Sequence, residues 1–161
     1  MAIQVGQKAP DFKLPDPDKK MVSLSDFKGK NVILFFFPMA WTGPCTKEMC
    51  TVQEDYNAFN KLNAVPIGIS VDSNFALKKF KEDQKLENII LLSDFNKEVI
   101  TAYDVVFNNF SVGYNGVARR STFVIDKDGI VQFVELLPTP NDLPNFDEVK
   151  KVLEGLNEKV Y

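Results

Sequence analysis

Three stretches of the chain are apolar without alternation: residues 31–37, 64–71 and 88–92. Runs of this length suit central strands covered on both faces, as in a parallel sheet. Residues 44–62, 74–85 and 96–103 instead place apolar side chains at helical spacing. Strands alternating with helices in this way predict an α/β fold with right-handed crossovers. Beyond Tyr103 the pattern changes. Residues 107–116 are rich in turn formers, with Phe107, Phe110 and Tyr114 as a substrate edge, a dimer surface or core anchors. Residues 120–125 and 130–137 read as strands joined through Asp126-Lys127-Asp128-Gly129, a hairpin signal. Pro138, Pro140 and Pro144 then break the chain. Residues 146–156 close it as an amphipathic helix, with Asn145 as cap and Asp147 and Glu148 in the first turn. The lead-in has a brief alternation over 9–16, a turn at Asp16-Pro17-Asp18, a short strand at 21–24 and a helical turn or tight loop at 25–30. The expectation is a central mixed sheet flanked by helices, with an N-terminal extension, in a single domain spanning 1–161.

Composition narrows the function classes. Apolar residues make up 45% and charged residues 25% of 161, an ordinary balance for a globular protein with a sizeable core. Nineteen basic against twenty-two acidic residues, with no basic stripe, argue against a nucleic-acid partner. The first residues lack an apolar signal segment, and the longest apolar run, 32–38, is too short to span a bilayer. A cytoplasmic protein is therefore expected, with no membrane partner. There is no histidine, which removes Ser-His, Cys-His and histidine–metal chemistry; no metal or cofactor is expected.

The two cysteines change the picture most. Both lie in Phe37-Pro38-Met39-Ala40-Trp41-Thr42-Gly43-Pro44-Cys45-Thr46-Lys47-Glu48-Met49-Cys50, where an apolar run meets a helical pattern. Two cysteines in a cytoplasmic chain point to redox chemistry more than to a structural bridge. A helix N-terminus carries partial positive charge and favours a thiolate, the nucleophilic form. On a helix wheel Met49, Val52, Tyr56, Phe59 and Leu62 form one stripe, and Cys45 falls on it. Cys50 lies roughly 150° from the stripe's centre, beside Glu54, Asn57 and Lys61. A cysteine that served only to fill the core would belong on the stripe. This position favours a resolving thiol and leaves an idle cysteine as the alternative.

Pro38-x-x-x-Thr42-x-x-Cys45 resembles the active-site signature of the peroxiredoxins. The continuation Cys45-Thr46-x-Glu48-x-Cys50 is similar to the Q-type branch, the bacterioferritin comigratory proteins. Phe37-Pro38-x-Ala40-Trp41-Thr42-Gly43 is similar to the one-cysteine AhpE-like branch. The start Gly6-x-x-Ala9-Pro10-x-Phe12 and the strand Arg120-x-x-Phe123-x-Ile125-Asp126 resemble further family positions, the latter selecting Arg120 over Arg119. Trp41-Thr42-Gly43-Pro44-Cys45 also resembles a thioredoxin site whose attacking cysteine is replaced by Thr42, which speaks against a disulfide reductase. The resemblance covers nearly the whole chain and implies a thioredoxin-like fold.

It also implies a reaction. A Cys45 thiolate would attack peroxide and become a sulfenic acid, which Cys50 would resolve as an intramolecular disulfide. Thioredoxin or a similar dithiol would then restore both thiols. Thr42, Pro38 and Arg120 would be catalytic, with Gly43, Pro44 and Glu48 at the substrate side. A free thiol is only ~3% ionised at pH 7, so full ionisation gains at most ~30-fold. The site must therefore also stabilise charge moving onto the departing oxygen. Pro44 directly before the cysteine departs from the usual pattern. No cysteine follows Cys50, so a C-terminal intersubunit resolving mechanism is not expected. The family suggests a homodimer through the active-site loops, with a monomer as the alternative. The competing readings are a one-cysteine peroxidase with Cys50 idle and a non-enzymatic thioredoxin-fold binding protein.

Overall fold

The computed structural model describes residues 2–158. In chain order its elements are β1 (Lys13–Pro15), β2 (Met21–Ser23), β3 (Asn31–Phe36), α1 (Gly43–Glu54), α2 (Tyr56–Lys61), β4 (Ala64–Ser70), α3 (Asn74–Asp83), β5 (Ile90–Ser93), α4 (Glu98–Ala102), β6 (Val106–Phe107), β7 (Val117–Ala118), β8 (Ser121–Ile125), β9 (Val131–Leu136) and α5 (Phe146–Glu158). Five strands form the central sheet in the order β5-β4-β3-β8-β9. β3 is parallel to β4 and antiparallel to β8, so the sheet is mixed, as expected.

The unbroken apolar run of β3 follows from its place in the middle of this sheet. Every residue of the strand is buried. Because successive side chains alternate faces, Val32, Leu34 and Phe36 enter one core cluster with Ile67, Ile69, Phe123, Ile100 and Tyr103. Ile33, Phe35 and Phe37 enter a second, with Met49, Val52, Phe59, Phe80 and Val149. The second core is the helix-covered face. The first is closed by α4 and by the N-terminal extension, whose Phe12, Leu14, Val22 and Leu24 pack onto it. Gly68 of β4 lets α1 lie close to the sheet: a Cβ there would stand 2.9 Å from Met49 Sδ and 2.9 Å from Leu91 Cδ2.

Local chemistry explains the boundaries. The turn after β1 is held by Asp16, whose carboxylate accepts from the N–H groups of Asp18 and Lys20. Asp126 does the same for Asp128 and Ile130 in the β8–β9 hairpin, where Gly129 takes a positive φ of 85°. Asn145 caps α5 by accepting from Glu148 N–H at 3.1 Å.

Two expectations are corrected. The pattern over 44–62 is two helices, broken at Asp55, where ψ relaxes to 3°. Aspartate is a weak helix-interior residue, and here its carboxylate pairs with Lys150 of α5 at 3.2 Å. The helix expected over 96–103 is only Glu98–Ala102. Asp94 accepts from the N–H groups of Val99 and Ile100 and so fixes that later start. The loop 107–116 is bracketed by the small β6–β7 ladder and closed by a Phe110–Tyr114 bridge. Among the described residues, no helix is long and apolar enough to cross a membrane.

Candidate active site

β3 delivers the chain to the edge of the helix-covered core, and the loop from Phe37 to Thr42 turns it into α1. Phe37 N–H still bonds the Ile69 carbonyl of β4 at 3.0 Å. Pro38 is buried behind the loop. Ala40 N–H donates to Asp72 Oδ2 at 2.8 Å, which ties the loop to the end of β4. Trp41 holds a left-handed φ of 74°, strained for a bulky residue. Its indole packs edge-on against Phe80 with centroids 5.5 Å apart. Thr42 is the N-cap of α1 by backbone, but its hydroxyl donates to the Met39 carbonyl at 3.1 Å rather than accepting from the helix.

Cys45 sits in the first turn of α1 and is fully buried. First-turn N–H groups have no helical acceptor. Pro44 has none to offer, so Gly43 and Cys45 supply them, while Thr46 N–H bonds the Thr42 carbonyl at 2.9 Å. Gly43 is exposed and Pro44 half-buried at the helix tip.

Arg120, one residue before β8, is buried against this tip. One guanidinium nitrogen, Nη2, donates to Cys45 Sγ at 2.9 Å and to the Pro140 carbonyl at 3.0 Å. Nε reaches the same carbonyl at 3.3 Å, and Nη1 pairs with Glu48 Oε1. Glu48 lies three residues after Cys45 on the same helix and is fully buried. Burial pushes its carboxyl from 4.5 up to about 7, outweighing the pull of Arg120; nearby Glu135 adds to the rise. Its Oε2 has no hydrogen-bond partner. Burial works against the charge of Arg120, but Glu48 and Cys45 more than offset it and keep the guanidinium protonated. Arg119 is turned elsewhere and donates to the Leu137 carbonyl.

Cys50 is not in this cluster. It is half-buried against the end of α3, with Sγ 3.7 Å from Gln84 Oε1. Burial, and then Glu54, push its thiol pKa up. Both cysteines are free thiols. Of the loop aromatics, Phe110 is buried and Tyr114 exposed.

Two contributors escape sequence reasoning. The Pro140 carbonyl is backbone, and its residue type signals only a break in the chain. Asp72 follows a buried strand in Ser70-Val71-Asp72-Ser73. A polar cluster at the carboxyl end of a parallel strand is where open α/β sheets place ligands, and that signal could have singled it out. Asp72 is held by Ser70 Oγ at 2.6 Å, and burial raises its pKa despite the hydrogen bonds it accepts. Among the described residues, no group of three or more His, Cys, Asp or Glu could hold a metal ion.

Residues 5–134 match the AhpC/TSA family. The chain is 43% identical over 131 residues to peroxiredoxin Bcp of Bacillus subtilis, covering 80% of this chain and 82% of that protein. It is 39% identical over 132 residues to the chloroplastic peroxiredoxin Q of Oryza sativa, covering 82% of this chain and 58% of that one. The crystal structure of peroxidoxin BcpB from Mycobacterium tuberculosis superposes with a TM-score of 0.82 at 31% identity, covering 99% of each chain.

Proposed function

The chain belongs to the AhpC/TSA family of peroxiredoxins and is a thiol peroxidase of thioredoxin-like fold; from that premise we propose that it reduces hydrogen peroxide and organic hydroperoxides through Cys45, with Cys50 as the resolving thiol. The observation that carries this reading is the 2.9 Å contact between Arg120 Nη2 and Cys45 Sγ at the start of α1. It puts a buried, fixed cation beside the fully buried Cys45 sulfur.

In the proposed first step the Cys45 thiolate attacks the terminal peroxide oxygen. An S–O bond forms, the O–O bond breaks, and the departing oxygen takes a proton to leave as water or an alcohol. Arg120, the Thr42 hydroxyl and the N–H groups of Gly43 and Cys45 are the donors available to the lengthening O–O bond. Glu48 and the Pro140 carbonyl hold the guanidinium in place, so Glu48 acts through Arg120 rather than on peroxide. Pro38 offers no N–H and shields the sulfur, while Pro44 stiffens the helix tip. The sulfenic acid then condenses with Cys50 to a disulfide with loss of water. Thioredoxin or a similar dithiol reduces it, in the cytoplasm, where disulfides are kept open. No cofactor takes part, and neither nucleic acid nor membrane is a partner. Residues 1–161 act as one domain, working as a dimer through the active-site loops.

A second reading keeps Cys50 idle, and its half-buried place against Gln84 favours it. Counting free thiols after one equivalent of peroxide separates the two. The resolving reading expects loss of both thiols in wild type and of Cys45 alone in Cys50→Ser. Cys45→Ser should abolish peroxide consumption, and a variant that keeps it would sink the assignment of Cys45.

A further inference from the structure

Both thiols lie on α1, a helix of 12 residues that begins at Gly43 and stops at the Asp55 break. An isolated helix of this length is marginal in water. Its persistence rests on tertiary contacts. On the inner side Met49 and Val52 are buried in the second core. On the outer side two side chains reach the segment between α3 and β5. Gln53 Oε1 accepts from Asn88 N–H at 2.9 Å and from Ile89 N–H at 3.4 Å. Three residues earlier, Cys50 Sγ meets Gln84 Oε1. Gln53 and Cys50 are therefore neighbours on one helix face, clasped to one loop.

We propose that Gln53 is a positioning residue for the resolving step: its bonds to Asn88 and Ile89 hold Cys50 within α1 and set how fast Cys50 reaches the oxidised Cys45. The inference rests on the reading that Cys50 resolves Cys45. In an intact helix residues five apart have Cα atoms about 8.6 Å from each other. A disulfide needs about 4.4–6.8 Å. Bond formation therefore requires α1 to unwind, and an unwinding that frees Cys50 strips Gln53 from its two N–H donors. In the condensation Cys50 sulfur attacks the Cys45 sulfenic sulfur, the S–O bond breaks, and hydroxide leaves with the Cys50 proton as water. The sulfenic acid is the oxidant, and no other is needed. Burial and Glu54 keep Cys50 a thiol while the helix is closed, so opening also favours its ionisation. A Cys45 sulfenate that waits too long meets a second peroxide, which transfers oxygen to give the sulfinate and departs as water or an alcohol. Gln53 thus divides the sulfenate between disulfide and irreversible oxidation.

The test compares full-length wild type with Gln53→Ala, and with Gln53→Glu, which keeps an acceptor. Amide exchange across α1 in the reduced proteins reads the clasp without reference to any disulfide. Rapid quench with thiol trapping after one equivalent of hydrogen peroxide reads both chemical steps. Mass analysis of Cys45 sulfinate over a peroxide series reads the partition. Losing the two bonds should raise α1 exchange and the rate of disulfide formation about 3- to 10-fold. The peroxide needed for half-maximal sulfinate should rise by the same factor, while the rate of Cys45 oxidation stays at the wild-type value. Gln53→Glu should be no faster than wild type. Wild-type exchange and resolution in Gln53→Ala would overturn the role of Gln53, as would a Gln53→Glu variant as fast as Gln53→Ala. If no Cys45–Cys50 disulfide forms in any of the three, the resolving reading fails and takes this inference with it, whatever the exchange data show.

Discussion

Arg120 is asked to touch sulfur, carboxylate and carbonyl at once, which only a planar fork of donors can do. Lysine in its place keeps the charge and loses the geometry. Arg120→Lys should slow the peroxide step by about 10²- to 10³-fold, the usual cost of removing a fixed donor to developing charge. The measurement is single-turnover oxidation with the thiol pKa determined in parallel. If the rate loss only matches the loss of thiolate, Arg120 serves ionisation alone. Glu48 gives a different signature. Its carboxyl titrates at about 7 when folded and at 4.5 by its ordinary value, because burial outweighs Arg120. Between those values the folded protein holds a proton that the unfolded chain has released. Raising pH through this window therefore destabilises the fold, and above it the effect is constant. Urea unfolding midpoints should fall from pH 5 to pH 8 in wild type, and Glu48→Gln should lose part of that slope. An identical slope in both proteins would show that Glu48 is ionised throughout.

At the scale of elements, α1 is the part expected to change during the cycle. The disulfide form should lose amide protection across Gly43–Glu54, exposing Met49 and Val52, and α2 should keep its own beyond the Asp55 break. Trp41 is the chain's single tryptophan and sits strained against Phe80 just before that helix. Its fluorescence should shift when the disulfide forms and stay unchanged in oxidised Cys50→Ser. A disulfide-bonded protein with full protection over α1 would refute the unwinding. How far these elements could be read from sequence follows from what sets them. β3, β4 and β5 are legible because burial on both faces writes a continuous apolar run. The α1–α2 break is not, because the apolar stripe from Met49 to Phe59 continues across it and the interruption is a matter of backbone angles at Asp55. Cys45, Thr42 and Arg120 are legible through a local signature. The burial of Glu48 is not, since a carboxylate reads as solvated until its partner 72 residues away is brought to it.

The molecule as a whole places its chemistry and three of its exposed aromatic side chains at the same end of the sheet. Trp41, Phe75 and Phe95 follow β3, β4 and β5, which are adjacent in the sheet. They are 48%, 65% and 65% exposed, unusual for side chains of this size. Phe75 and Phe95 share the lining of a cavity of about 400 Å³ with Met21, itself part of the N-terminal extension. Sequence reasoning had no means of finding this grouping, because the three aromatics are 34 and 20 positions apart and only the parallel order of the strands gathers them. Clustered apolar surface of this kind marks a site of association, and a second copy of the chain seated here would lie beside both active-site loops. The expected outcome is a dimer in sedimentation experiments across the micromolar range. Phe95→Asp places a charge in the patch and should weaken association about tenfold or more, as loss of a central aromatic anchor does. Phe95 is exposed after β5, whereas Cys45 and Arg120 are buried, so single-turnover oxidation of Cys45 in the variant should match wild type. A wild-type chain that sediments as a monomer throughout, or a Phe95→Asp dimer as tight as the parent, would move the association surface elsewhere.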